Sequence, residues 1–308
     1  MLPIAPFLIV VMAAAPEERA LAYLAREVPR WPARNGCYSC HNNGDAARAL
    51  YAAVRLGHKV PAGALADTTR WLARPADWEH NGGEGEFNDQ RLARLQFAAT
   101  LVAAMDAGLV KDRQALDRAA RLVAAEQDRD GSWPVSGPGV LGSPATHGRA
   151  LATYFARRTL RRADPGKYER AVARADAWLR AARVTTVLDA AAVLLALAKA
   201  GDAGAAAQRR RCLELVRKGE SKGGGWGPYV NSGPEVFDTA VVVLALGCLP
   251  QTEEVRMMRA RGRKYLVATQ EEDGGWPATT RPAGAESYAQ RVATSGWATL
   301  ALLRTPAK

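Results

Sequence analysis

Cys37, Cys40 and His41 stand in the run CYSCH, the strongest chemical motif in the 308 residues. Two thiols at this spacing followed by an imidazole suit three chemistries. The thiols can close a disulfide, they can become two thiolate ligands of a zinc ion, or they can bond the vinyl groups of a porphyrin while His41 takes the iron, the arrangement of haem c. Zinc and iron both need ligands from elsewhere in the chain. His80 is the first candidate for a sixth haem ligand or a third zinc ligand and His147 the next; read one at a time, each is an ordinary exposed or capping loop histidine. Cys212 and Cys248 sit on different predicted helices about 10 Å apart in height, too far for an unstrained bridge, and are expected to be buried free thiols.

The elements that position these residues repeat. From Glu17 the chain divides into six helical hairpins with a mean period of roughly 48 residues, a length typical of repeat architectures. Alanine and arginine are abundant and β-branched runs few, which favours helix nearly throughout. The first helix of each hairpin is rich in arginine, as at Arg118, Arg121, Arg170, Arg174 and Arg209 to Arg211. The second is apolar, and several end at a glycine, Gly57, Gly108, Gly201 and Gly247, able to take the left-handed turn that stops a helix. The spacing predicts helices over 17–30 and 45–56, 64–74 and 90–107, 114–125 and 147–160, 167–180 and 188–199, 203–217 and 235–247, and a sixth pair whose second member covers 287–303. Residues 31–44, with the CYSCH motif, are expected as the first connecting loop. All first-to-second connections lie at one end of such an array, so His41, His80 and His147 share that end and His58 falls at the other.

The best-specified unit is RGRKYLVATQEEDGGW, Arg261 to Trp276. Its order of Arg261, Gly262, Tyr265, Leu266, Gln270, Gly274 and Trp276 resembles the QW repeat of squalene-hopene cyclases and related terpenoid cyclases. Gln127 to Trp133 is a partial copy and Gly224 to Trp226 the turn alone. The resemblance and the apolar second helices together imply an all-α fold, an α/α toroid with apolar helices inside and arginine-rich helices outside. An open solenoid of hairpins is the structural alternative.

In those cyclases a DxDDTA motif opens an inner helix and its central Asp protonates the polyene. The matching stretch is EVFDTA: Glu235 takes the first acidic place, Phe237 the central one, and Asp238, Thr239 and Ala240 the end. Phenylalanine cannot deliver a proton, so the chain is expected not to cyclise terpenes, with Glu235 and Asp238 as the acids if it does act as an enzyme and as helix-start residues otherwise. The related protein prenyltransferases hold zinc with an Asp-x-Cys element; Ala240 stands where the Cys would be, so that site is not carried over.

The net charge of +11 is spread over the outer helices and not gathered with stacking aromatics, which argues against nucleic acid as a partner. Met1 to Ala15 has the apolar run and small residues of a secretory signal, which predicts a periplasmic or secreted protein whose single domain covers 17–308. No later segment reads as transmembrane. The sequence thus points to an exported cyclase-like toroid carrying a haem c or metal for electron transfer or redox sensing, with a redox partner. The alternatives are a divergent cyclase or transferase acting on an apolar isoprenoid-like ligand in the ring, and a non-catalytic binding or scaffold protein.

Overall fold

The structure, a computed structural model, describes residues 14–81, 89–135, 140–281 and 287–305, so the signal-like segment lies almost wholly outside the described residues. Among these, twelve α-helices form six hairpins. In order they are α1 (Pro16–Asn35) with α2 (Ala47–Arg55), α3 (Ala62–Leu72) with α4 (Gln90–Asp106), and α5 (Arg113–Ala125) with α6 (Arg149–Ala163). The second half has α7 (Glu169–Ala181) with α8 (Val187–Leu197), α9 (Ala203–Lys218) with α10 (Val236–Gly247), and α11 (Glu253–Ala268) with α12 (Tyr288–Leu303). Short polar side chains start many of them: Asp89, Asp112, Thr186, Asp202, Thr252 and Ser287 each accept a backbone N–H of the first turn.

The two members of a hairpin bury themselves differently. In α5 the buried residues Ala115, Leu116, Ala119, Ala120 and Val123 form one stripe, and the arginines face out. In α8 and α10 nearly every side chain is buried, because α8 is covered by α7 and α9 and by the inner helices α6 and α10, and α10 by α11 and by the inner helices α8 and α12. Leu95, Leu151, Leu194, Val242 and Leu300 are all buried, as the inner assignment requires. Each even-numbered helix touches the next, and α12 returns to α2 and α1, so the array is a closed α/α toroid and not an open superhelix.

The GxW loops tie one hairpin to the next by a repeated set of bonds. Indole N–H groups of Trp133, Trp226 and Trp276 donate at 2.7 to 2.8 Å to Val123, Val216 and Leu266 at the end of their own outer helix. Their backbone N–H groups donate to Thr153, Thr239 and Ser295 on the inner helix. Gln127 donates across to the Ala171 carbonyl of α7 at 2.8 Å, and Gln270 to the Pro16 carbonyl of α1 at 2.9 Å. Arg19 answers by donating to the Gln270 side chain at 2.6 Å, closing the ring between residues 251 positions apart. The fifth hairpin, which shows only the turn in sequence, makes the same link with an ion pair, Glu220 to Arg261.

Two sequence expectations change. The connection expected over 31–44 is mostly helical: α1 continues through Pro29 and Pro32 to Asn35, and a π-helical turn, Cys40–Ala46, leads into α2. The turn is held because Asn42 donates to the Glu27 carbonyl and Asn43 to the Val28 carbonyl and Thr68 hydroxyl, so Asn-Asn-Gly is a buried anchor and not a flexible hinge. Cys212 is buried as expected, but Cys248 is exposed, since α10 ends one residue before it.

Gly274 has φ 93°, and a Cβ there would lie 2.2 Å from the Arg19 carbonyl oxygen of α1. Gly274→Ala is expected to lose about 1–3 kcal/mol in a urea titration, through left-handed strain and the widened ring seam. Gly63→Ala, in open space on α3, is expected to stay within about 1 kcal/mol of wild type. Equal stabilities for the two variants would contradict this account of closure.

Candidate functional site

The axis of the ring has a polar end and an open end. At the loop end, the buried π-helical turn fixes Asp45. His147, held at φ 64° just before α6, places Nε2 at 2.8 and 3.0 Å from the two Asp45 oxygens, and Gln96 of α4 donates to the same carboxylate at 3.0 Å. Arg48, in the first turn of α2, forms an ion pair with Asp45 at 3.1 Å with its side chain only 5% exposed. Beside this group Arg281 bridges Glu235 (3.0 Å) and Asp238 at the start of α10. Burial pushes the Asp238 carboxyl up to about 7 although the Arg281 guanidinium pulls it down.

An aromatic layer separates these charges from the open end. Phe237 and His147 meet Trp297 edge-on at 5.6 and 5.7 Å, and Phe155 lies 5.8 Å from the same ring. The Arg48 guanidinium lies between Phe155 and Trp297, 4.4 and 4.3 Å from their centroids. Beyond it opens a cavity of about 230 Å³ to which all six inner helices contribute, among them Ala52, Ala103, Tyr154, Leu195, Leu244 and Leu300. Arg55, Arg158, Arg259 and Arg304 stand around it with one carboxylate, Asp106. A second hollow of about 440 Å³ lies off the axis between the third and fourth hairpins, where the fourth has no long loop, with Trp178, Arg183 and Asp189 on its wall.

The residues singled out by sequence separate in space. Glu235 and Asp238 do come together, on Arg281, but neither lines the axial cavity; α10 reaches its wall only from Leu244 onward. Cys37 and Cys40 are unbonded and half-buried, and burial pushes the Cys40 thiol up to about 12. The ring of His41 is packed edge-on against Trp31 at 5.2 Å and Tyr288 at 6.1 Å; its Nε2 is buried without a partner, and burial holds it down to about 4. An iron at that nitrogen would require an aromatic neighbour to move. His80 is exposed at the end of a 3-10 turn, Pro75–His80, and His147 pairs with Asp45 instead of joining the thiols. Among the described residues no three His, Cys, Asp or Glu side chains surround a point that could hold a metal ion.

Asp45, Arg48, Gln96 and Arg281 escaped the sequence reading. The signal for the first two was present: a charged pair at i, i+3 opening an otherwise apolar inner helix, DAARALYAAV.

Residues 186–307 match the family model of the squalene-hopene cyclase C-terminal domain. No curated relative matches the chain. Among solved structures, the apo type II terpene cyclase MstE from Scytonema is similar over 94% of this chain and 98% of its own, with TM-score 0.59 and 13% identity. A variant of that enzyme in complex with its product merosterolic acid A gives TM-score 0.60 at 14% identity, covering 94% of this chain and 97% of its own. A glycosidase variant in complex with glucose covers 95% of this chain and 99% of its own, with TM-score 0.56 and 14% identity.

The Asp238 shift makes a pH prediction. A folded pKa of about 7 against an unfolded value of about 3.9 means that the folded state holds the extra proton between those values, so this contribution is full below about 4 and lost as pH rises through 7. Asp238→Asn is therefore expected to flatten the fall in stability from about pH 4 to 7. Superimposable pH slopes for the two proteins would contradict the placement of Asp238. The fold shared with both enzymes is the α/α toroid, and over 186–307 the chain also carries the sequence pattern of the squalene-hopene cyclase C-terminal domain.

Proposed function

We propose that this chain is a cyclase-like toroid that holds a small apolar, isoprenoid-like ligand in its axial cavity without cyclising it. The observation that carries the reading is the place of Arg48. Cyclisation through a carbocation needs aromatic faces free to stabilise it, and here the two faces at the cavity floor, Phe155 and Trp297, hold the protein's own guanidinium. Among the described residues no carboxyl that could donate a proton lies on the floor: Asp238 is behind the aromatic layer, Asp45 behind Arg48, and Asp106 stands at the rim, held by Arg158 and Arg162. The cavity volume of about 230 Å³ exceeds the about 150 Å³ that admits benzene and is far too small for a squalene-length polyene. The family match and the terpene cyclase fold support an isoprenoid as the ligand class; the glycosidase shares only the fold.

A ten-carbon prenyl alcohol, geraniol, is expected to raise the melting temperature and to be recovered unchanged after long incubation, whereas squalene is expected neither to bind nor to react. Phe237→Asp alone should give no cyclic product either, because the Arg48 guanidinium would still occupy the aromatic faces of Phe155 and Trp297. Efficient formation of a cyclic product by the wild-type protein would overturn the reading.

Haem c or zinc at Cys37, Cys40 and His41, with export and a redox role, is a second reading, and the one observation in its favour is the buried, unpartnered Nε2 of His41. It requires Trp31 or Tyr288 to give way. Export in cells that mature c-type haem is expected to yield protein with the mass of the peptide alone, while a covalent haem adduct surviving denaturation would establish the second reading.

A further inference from the structure

Arginines at the ends of helices are ordinary partners of the negative end of the helix dipole, and several here act in that way. Arg209 donates to the Leu197 and Ala200 carbonyls, Arg263 to Leu302 and Arg259 to Arg304. Arg55 and Arg304 at the cavity rim differ. Among the described residues neither side chain has a hydrogen bond or an ion pair. Burial together with the charges of Arg55 and Arg158 holds the Arg304 guanidinium below its usual range, and the one carboxylate among the described rim residues, Asp106, is taken by Arg158 at 3.0 Å and not by Arg55 or Arg304.

The floor shows the same surplus from the inside. Arg48 has lost nearly all its contact with water, yet both of its terminal nitrogens lack a hydrogen bond of good geometry, and Asp45 lies beside only one of them. Burial holds this guanidinium down as well, partly offset by Asp45. An unsatisfied cation in an apolar pocket is costly, and a guanidinium fork matches a planar carboxylate or a phosphate with two donors.

We propose that the axial cavity is a receptor for a small amphiphile bearing a carboxylate or phosphate, whose oxyanion is received by Arg48 between Phe155 and Trp297 and whose approach is favoured by Arg55 and Arg304 at the rim. The apolar wall of Ala52, Ala103, Leu195, Leu244 and Leu300 encloses the rest of the ligand. The inference rests on the binding role of the cavity and adds the chemistry of the group bound there. Focusing by a basic rim with one carboxylate raises the local concentration of an anion and weakens with salt.

Calorimetric titration with geraniol, geranic acid and geranyl monophosphate tests this. At least one of the two acids is expected to bind about tenfold or more tightly than the alcohol, the worth of one charge-assisted hydrogen bond, and which one does so identifies the oxyanion. Arg48→Gln is expected to remove most of that preference, read as the ratio of acid to alcohol affinity in the same variant. Should Arg48→Gln not fold, the doubly substituted rim, Arg55→Gln with Arg304→Gln, must weaken the acid and its salt dependence while sparing the alcohol. Equal affinities for alcohol and acids, unchanged at the rim variant, would overturn the anion inference and leave the cavity role standing. Absence of binding by all three probes would overturn both.

Discussion

The fold depends on a seam between the first and last hairpins. Gln270 in the last loop donates to the Pro16 carbonyl, and Arg19, one turn into α1, donates back to Gln270. The same pair of bonds joins Gln127 to Ala171 and Arg174 inside the ring. Closure is therefore no special device. It is the ordinary inter-repeat contact applied once more between the two ends of the chain, and it works because Arg19, Tyr23 and Leu24 repeat the spacing of Arg261, Tyr265 and Leu266. An array closed in this way leaves no terminal repeat with an uncovered apolar face.

Closure makes an interior, and the direction of the helices makes its two ends unlike. All inner helices start at the loop end, where their free N–H groups and positive dipole ends favour carboxylates. Asp45, Asp189 and Asp238 are all there. Their C-terminal ends favour cations, and there Arg55, Arg158 and Arg304 surround the cavity. Arg48 is the exception that joins the two regions, since it reaches from the acidic end through the aromatic layer to the cavity floor. In a ring that handled a carbocation, a fixed cation at that level would repel it; in a ring that receives an anion, it is the receiving group.

The hairpins could be read from sequence because inner and outer helices differ in how many faces they bury, which shows as apolar runs such as VLDAAAVLLAL against arginine-studded stretches such as AQRRRCLELVRK. Ring closure was readable only through the repeat motif, since periodicity does not distinguish ring from solenoid. The CYSCH segment misled about local structure. Pro29, Pro32 and the Asn-Asn-Gly run resemble a loop, and only tertiary bonds from Asn42 and Asn43 to α1 and to Thr68 make the turn after it helical and buried. His147 was placed at the correct end of the ring, but its partner is a carboxylate 102 residues away, which spacing could not show. Arg281 comes to Asp238 from a loop of the next hairpin for the same reason.

Hydrogen–deuterium exchange with and without saturating geranic acid tests most directly whether the closed ring works through its axial cavity. The account predicts slowed exchange at the C-terminal turns of several inner helices at once, around residues 52–56, 103–107, 195–198, 244–248 and 300–304, because the ligand touches all of them. Protection confined to residues 140–150 and 181–189, beside the off-axis hollow, would contradict it.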